Sequence, residues 1–366
     1  MPTKYATTEG TKHYAARFNH TAEHFRSRED LLLSSIGIGT YLGNADEQTD
    51  KAYAGSIARA VELGTNVIDT AANYRFQRSE RSVGTALSQL FDQGFSREEL
   101  FICTKGGYLP FDDAPPRDVR KYVEETFVKP GIAGFEDFVG DSHCMTPKYL
   151  QSQLDQSLSN MALDSVDVYY IHNPESQLGH VSEAEFYARL RKAFVMLEEN
   201  RKNGKLRFYG VATWNGFRVP QRSAGYHSLA RMISLAAEVG GEGHGFRFIQ
   251  LPFNLGMPEA FTIANQTEGH QELTLLEAAE QLGVTVIASA SILQGRVARG
   301  LPADLQETLG SLSTHAQTAV QFVRSTPGIT TALVGMSSRA HVEENLQLAS
   351  RPPVTAERYM QLFSRG

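Results

Sequence analysis

The chain has 366 residues, of which 41% are hydrophobic and 21% charged, and a formal net charge of −6; these values are typical of globular proteins. The acidic balance excludes the basic surface that nucleic acids or anionic membranes require, and two cysteines without a CxxC motif, Cys103 and Cys144, argue against a disulfide framework or a metal site. Because the N-terminus lacks an apolar signal segment and no stretch approaches the roughly 20 apolar residues of a spanning helix, we expect a soluble cytoplasmic protein without a membrane partner, and oligomerisation is left open.

Short apolar runs typical of strands alternate along the chain with amphipathic runs of helical period. The predicted strands are Ser34–Thr40, Asn66–Ala71, Leu100–Gly106, Val166–His172, Leu206–Thr213, Phe246–Phe253, Val284–Ser289 and Thr330–Gly335. The predicted helices are Ser56–Gly64, Ser79–Leu90, Tyr149–Leu163, Leu190–Lys202, Leu229–Val239, Leu273–Leu282, Ala316–Arg324 and His341–Leu348. Because parallel strands need crossover connections, this alternation predicts an α/β fold, a (β/α)8 TIM barrel. A doubly wound open sheet is the alternative, but the first strand lacks the GxGxxG fingerprint expected there.

Two segments interrupt this alternation. Residues 1–30 are polar and form an N-terminal extension, predicted to be a hairpin or arm that closes the barrel floor, before a single barrel domain of residues 31–366. Residues 108–147 form a long insertion after the third strand, and long connections in compact domains are usually functional or disordered. Its aromatic residues favour an ordered lid over the C-terminal face of the barrel, where active sites lie; they are Tyr108, Phe111, Tyr122, Phe127, Phe135 and Phe138.

Titratable side chains stand at the ends of three successive predicted strands. Asp69, Lys105 and His172 each close a strand, and Tyr74 follows in the loop after Asp69. In a barrel these ends meet on one face, so the four side chains can converge. A lysine beside a phenol lowers its pKa, an aspartate holds the lysine, and a neutral histidine can polarise a carbonyl. Each residue alone has a structural explanation, such as an ion pair or core packing, but four on one face favour a catalytic site.

The motifs that carry these residues resemble the aldo-keto reductase superfamily over roughly residues 33–350. GTNVIDTAANYRFQRSERSVGTAL resembles its signature, FICTKGG and DVYYIHNPE its lysine and histidine strands, and GIGTYLG and FIQLPFN two further strands. ALVGMSSRAHVEENL is similar to the adenosine loop of bacterial aldo/keto reductases and of potassium-channel beta subunits. The resemblance implies NAD(P)H-dependent hydride transfer to or from a small carbonyl or alcohol. Tyr74 is then the general acid and base, Lys105 lowers its pKa, Asp69 pairs with Lys105, and His172 orients the carbonyl.

The same resemblance implies a nicotinamide site across the barrel mouth, with NADP(H) favoured over NAD(H). Relatives carry a basic residue where this chain has Gly335, so Arg339, Arg296 or Arg299 is expected to meet a 2′-phosphate. The sequence departs from the family at Ala212 and at Ser289, where relatives have a serine and a stacking aromatic; Trp214 either compensates or packs in the core. The expected cofactor-binding residues are Gly39, Thr40, Tyr41, Thr213, Gln250, Ser291, Gly335, Ser337, Arg339, His341, Glu344 and Asn345.

Three other functions are compatible with parts of the sequence. A non-catalytic, nicotinamide-sensing regulatory subunit is disfavoured because His172 is present. A redox-neutral enzyme that uses the cofactor on a sugar-like substrate is motivated by the unusual nicotinamide surround and the long insertion. A metal-dependent isomerase is weaker, because His143, His172 and His180 lack carboxylate partners at useful spacing. The substrate stays open between an aromatic or terpenoid carbonyl and a sugar.

Overall fold

The predicted strands form a closed barrel of eight parallel strands in the computed structural model, which describes residues 5–364. The barrel strands are β1 (Ile36–Gly39), β2 (Val67–Asp69), β3 (Phe101–Gly106), β4 (Val166–His172), β5 (Leu206–Ala212), β6 (Phe246–Pro252), β7 (Thr285–Ser289) and β8 (Ile329–Gly335). Each strand pairs in parallel with its sequence neighbours, and β8 pairs with β1 to close the ring. The predicted (β/α)8 barrel is confirmed.

A helix follows each barrel strand, as predicted. These helices are α1 (Glu47–Glu62), α2 (Arg78–Asp92), α3 (Pro147–Met161), α4 (Glu183–Lys202), α5 (Leu229–Gly240), α6 (Leu275–Gln281), α7 (His315–Ser325) and α8 (Arg339–Leu346). Two of them begin well before the predicted starts. Asp46 caps α1 by accepting from the Thr49 amide, and Ser182 caps α4 by accepting from the Glu185 amide. Both first turns are polar, so the spacing of apolar residues gave no sign of them.

The side chains of each barrel strand alternate between the barrel interior and the surrounding helices. On β2, Val67 packs in the interior cluster and Ile68 in the outer one. On β3, Cys103 is interior and Ile102 outer. Because the side-chain period of a strand is two residues, the positions two beyond an interior residue also face inward. This alternation directs the last residues of the strands towards the carboxyl end of the barrel interior.

An antiparallel hairpin lies at the amino-terminal end of the barrel. Its strands, Phe25–Arg28 and Leu31–Ser34, pair with each other, and Leu31 and Leu33 join the interior cluster. Helix Thr8–Ala15 precedes it and is capped by Thr7. The hairpin therefore packs apolar side chains into the floor of the barrel. Residues 1–4 of the predicted extension lie outside the described residues.

The insertion after β3 is ordered around a small apolar core of its own. It contains helix Val119–Val123, a π-helical turn Glu124–Val128 and a 3-10 turn Phe135–Asp137. Its core residues, including Phe127, pack against Tyr149 of α3. Most of its aromatic residues therefore cover α3, and those that line the mouth of the barrel include Tyr108 at its beginning.

Several further elements decorate the connections. A second antiparallel hairpin, Ala264–Glu268 with Gln271–Thr274, precedes α6 and was not predicted because its strands are polar. Short helices at Glu259–Thr262, Ala303–Thr308 and Ala356–Met360 were also not predicted. Within residues 5–364, no helix combines the length and the apolar character that crossing a bilayer demands.

Candidate active site

A cavity of about 500 Å³ opens where the barrel strands end. The last residues of six strands line it, namely Gly39, Asp69, His172, Ala212, Ser289 and Gly335. The loops that follow contribute Tyr41, Tyr74, Tyr108 and Trp214. A cavity of this size at the carboxyl end of a barrel is where the fold normally builds its active site.

Asp69 and Lys105 form a buried ion pair at the base of this cavity. Lys105 Nζ lies 2.6 Å from Asp69 Oδ2 and donates a second hydrogen bond to the Thr70 carbonyl at 2.9 Å. Gln250 Nε2 donates to the other carboxylate oxygen, Oδ1, at 2.8 Å. Burial lowers the pKa of Lys105, but the charges of Asp69 and Tyr74 outweigh it, so the pKa lies above its ordinary value. Lys105 is therefore a fixed positive charge.

Tyr74 lies against this charge. The Lys105 ammonium is 5.0 Å from the centroid of the Tyr74 ring. Burial raises the pKa of Tyr74, Lys105 lowers it and Asp69 raises it, and the result is a pKa above the ordinary value. Lys105 thus acts in the expected direction, but the expected net lowering is not found because burial outweighs it. The phenol of the free protein is protonated at neutral pH and is a proton donor.

His172 supplies a neutral imidazole beside Tyr74. Its ring packs edge-on against Tyr74 at 5.8 Å and against Tyr108 at 5.1 Å between centroids. Burial, together with the positive charge of Lys105, holds the pKa of His172 well below its usual value. Nδ1 is buried without a partner among residues 5–364, which leaves Nε2 as the nitrogen that faces the cavity. The ring can therefore donate one hydrogen bond from Nε2 without carrying charge.

His143 of the insertion supports His172, and the sequence gave no sign of this role. His143 Nε2 donates to the His172 carbonyl at 2.7 Å, and Gln177 Nε2 donates to His143 Nδ1 at 2.8 Å. Burial lowers the pKa of His143 to about 4, consistent with a neutral ring that donates at one nitrogen and accepts at the other. The insertion is therefore bonded directly to the end of β4.

The predicted cofactor residues fall into two groups. Gly39, Thr40, Tyr41, Thr213, Gln250, Ser291 and Gly335 line the cavity. Ser337, Arg339, His341, Glu344 and Asn345 lie just before or on α8, outside the cavity lining. Two buried acceptors, Thr213 Oγ1 and Asn345 Oδ1, have no hydrogen-bond partner among the described residues, as a polar ligand that runs from the cavity towards α8 would require. The Glu344 carboxylate already accepts from Thr314 Oγ1 at 2.6 Å.

Comparison with known proteins identifies the family. Residues 35–364 match the model of the Aldo/keto reductase family. The chain belongs to this family.

Similarity to individual aldo/keto reductase relatives is low. An NADH-specific methylglyoxal reductase from Escherichia coli (strain K12) is 27% identical over 194 residues, 50% of this chain and 49% of that protein. A putative voltage-gated potassium channel subunit beta from Schizosaccharomyces pombe is 25% identical over 216 residues, 59% of this chain and 51% of that protein. The matched stretches thus span about half the length of these two relatives.

The fold is that of solved aldo/keto reductases. The crystal structure of an aldo/keto reductase from Klebsiella pneumoniae in complex with NADP and acetate superposes with a TM-score of 0.62 at 19% identity. The superposition covers 93% of this chain and 94% of that chain. Together with the family match, this likeness makes the chain an oxidoreductase of the aldo/keto reductase type.

The residues that depart from other aldo/keto reductases lie in the cavity wall. Ala212 and Ser289 both line the cavity. Trp214 lines it too and is 42% exposed, so the tryptophan is not a core residue. Its backbone amide donates to Glu175 Oε1 at 2.6 Å, which fixes the backbone that carries it. An aromatic ring is therefore present at the cavity, but on the loop after β5 and not at the end of β7.

Proposed function

We propose that the protein is a nicotinamide-dependent oxidoreductase that interconverts a small carbonyl compound and its alcohol. The observation that carries the proposal is the convergence of Asp69, Lys105, Tyr74 and His172 at one cavity. Such a set combines a proton donor, a fixed cation and a neutral hydrogen-bond donor within reach of one oxygen atom. A purely structural cluster would not leave the Tyr74 hydroxyl and His172 Nε2 facing open space.

Each residue then has a distinct task. The bound cofactor supplies or accepts the hydride at the substrate carbon. In reduction, His172 Nε2 donates a hydrogen bond to the carbonyl oxygen and polarises it, and Tyr74 gives its phenolic proton to the same oxygen. Lys105, held by Asp69, stabilises the phenolate that Tyr74 becomes. In oxidation the same phenol, once ionised, accepts the proton of the alcohol.

The cofactor is proposed to bind with its nicotinamide at the barrel mouth and its adenosine at α8. Gln250 and Thr213 would meet the nicotinamide end, with Gly39, Thr40, Tyr41 and Ser291 around the adjacent ribose and diphosphate. Ser337, His341, Glu344 and Asn345 would surround the adenosine. We propose NADP(H) as the preferred form, with Arg339 near the 2′-phosphate and Gly335 leaving room beside it. The NADP in the Klebsiella pneumoniae structure supports this choice, while the NADH-specific relative makes a direct comparison necessary.

Fluorescence titration with NADPH and NADH, followed by turnover assays, tests the proposal. The substrate panel contains methylglyoxal, simple aldehydes, ketones and sugars, and each is assayed with wild type and with Tyr74→Phe. We expect tight cofactor binding by both proteins and a turnover loss of about 100-fold or more in Tyr74→Phe. Binding without turnover of any panel member would favour a redox-neutral or regulatory function. Absence of cofactor binding by wild type would refute the proposal.

A further inference from the structure

Two exposed aromatic side chains lie at the cavity. Tyr41 is 57% exposed and Trp214 is 42% exposed, and both line the cavity. Neither is loose, because Tyr41 packs edge-on against Tyr74 with ring centroids 5.0 Å apart and Glu175 holds the backbone of Trp214. Fixed aromatic faces that the protein leaves uncovered offer contact to the apolar face of a ligand.

Two amide side chains lie in the same wall, each next to a residue of the proposed catalytic set. Asn73 precedes Tyr74 in sequence, and its side chain makes no hydrogen bond to another residue in the described range. Asn173 follows His172 and donates from Nδ2 to the Tyr108 hydroxyl at 3.2 Å. Its backbone has a φ of +42°, a left-handed conformation that non-glycine residues seldom adopt outside functional or tightly constrained positions. Amides offer both donors and acceptors, which suits hydroxyl groups close to the reacting carbon.

The cavity wall carries no free positive charge. Its lining, taken over residues 5–364, includes no arginine or lysine. Lys105 reaches the base of the cavity, but Asp69 occupies it at 2.6 Å. Phosphate and carboxylate groups are normally bound by arginine or lysine. The wall is therefore poorly suited to an anionic substrate.

Aromatic faces, free amides and a wall without cations together point to one class of ligand. Resting on the proposed function, we propose that the substrate is an uncharged polyhydroxylated carbonyl compound, a sugar or a short sugar-like aldehyde. Its carbon chain contacts Tyr41 and Trp214, and its hydroxyl groups bind Asn73 and Asn173. In the reduction the carbonyl carbon gains a hydride from the reduced nicotinamide and the oxygen gains the Tyr74 proton, so an aldose gives an alditol and the nicotinamide is oxidised.

Matched substrates test this assignment on the wild-type enzyme. Glyceraldehyde carries the hydroxyls, propanal lacks them, glyceraldehyde 3-phosphate adds a charge and benzaldehyde replaces the hydroxyls by an aromatic ring. We expect kcat/KM for glyceraldehyde to exceed that for each of the other three by about 10-fold or more, since buried polar groups left unpaired penalise the wrong ligand. Equal or faster reduction of propanal, benzaldehyde or the phosphate ester would overturn the substrate class while the proposed oxidoreductase function stood.

Amide variants separate recognition from folding. Asn173→Gly removes the amide and tolerates the left-handed backbone, and Asn73→Ala removes the other amide. In each we expect the preference for glyceraldehyde over propanal to fall several-fold, through KM, with unchanged thermal unfolding. Asn203→Ala, an exposed position at the end of α4, is the matched control and should keep the preference. An unchanged preference in both amide variants would overturn the assignment, and failure of wild type to reduce any carbonyl would refute the proposed function as well.

Discussion

Lys105 Nζ and Asp69 Oδ2, 2.6 Å apart on neighbouring strands, form an ion pair that is almost completely shielded from solvent. Gln250 bonds to the second oxygen of the carboxylate, so both partners are held in one arrangement. Burying two charges costs desolvation energy that their attraction often does not recover, so a buried pair is weak evidence for a stabilising role. Its position beneath Tyr74 is consistent with retention for catalysis instead.

Replacing the lysine separates these two roles. Lys105→Met leaves the Asp69 carboxylate buried without a partner, and we expect a loss of about 3–5 kcal/mol in the free energy of unfolding. The double variant Lys105→Met/Asp69→Asn removes the unpaired charge and should recover most of that stability. Turnover should stay low in both, because neither stabilises the Tyr74 phenolate. Denaturant unfolding and kcat are measured on the same preparations. Wild-type turnover in the folded double variant would contradict the proposed role of Lys105.

The protonation state of Tyr74 predicts opposite pH profiles for the two directions. Burial keeps the pKa of Tyr74 above 10.0 despite Lys105, and the pKa of His172 stays well below 6.5. Neither group then titrates between about pH 6 and about pH 9, so kcat/KM for reduction should be flat there. Oxidation needs the phenolate, so kcat/KM for the alcohol should rise about 10-fold per pH unit. A plateau of the oxidation rate near neutral pH would show that Tyr74 is already ionised in the complex.

The barrel could be predicted because its sequence signals are local. Interior residues such as Val67 and Cys103 alternate with outer residues such as Ile68 and Ile102, and each strand ends at a titratable or small residue. Parallel strands align their ends, so Asp69, Lys105 and His172 had to lie on one face once the barrel closed. The prediction of a shared cavity therefore needed only strand order and side-chain period.

Features that depend on tertiary packing could not be predicted in the same way. The net direction of the Tyr74 pKa is set by how deeply the ring is buried, and no local pattern reports that. His143 lies in an irregular insertion, and its bond to the His172 carbonyl exists only because the chain returns to β4. The polar hairpin at Ala264–Thr274 lacks the apolar alternation that marks a half-buried strand.

The bond between His143 and His172 predicts an acid-sensitive contact. The folded-state pKa of His143 is about 4, against an ordinary value of 6.5. Between these pH values the unfolded chain binds a proton that the folded protein does not, so the stabilising contribution is complete above pH 6.5 and is lost as the pH falls towards 4. The difference corresponds to roughly 3 kcal/mol at full loss. Urea unfolding at several pH values should show a shallower acid decline in His143→Gln than in wild type. His180→Gln, at an exposed position, is the control, and an identical decline in all three proteins would contradict the assignment.

Cofactor preference can be decided at three arginines. Arg339 stands at the first position of α8, exposed to solvent, and the amide of His341 two residues later donates to the Ser338 hydroxyl that caps the helix. A guanidinium at a helix N-terminus is well placed for a phosphate, because it adds charge-assisted bonds to the helix dipole. If Arg339 meets the 2′-phosphate, Arg339→Ala should weaken NADPH binding by about 10-fold, the loss of one charged hydrogen bond, and leave NADH binding unchanged. Arg296→Ala and Arg299→Ala are matched controls, because both arginines are exposed and lie in the loop after β7. A selective loss of NADPH affinity in either control, with none in Arg339→Ala, would move the phosphate site to that loop; equal affinities of wild type for NADPH and NADH would mean that no arginine of this set recognises the phosphate.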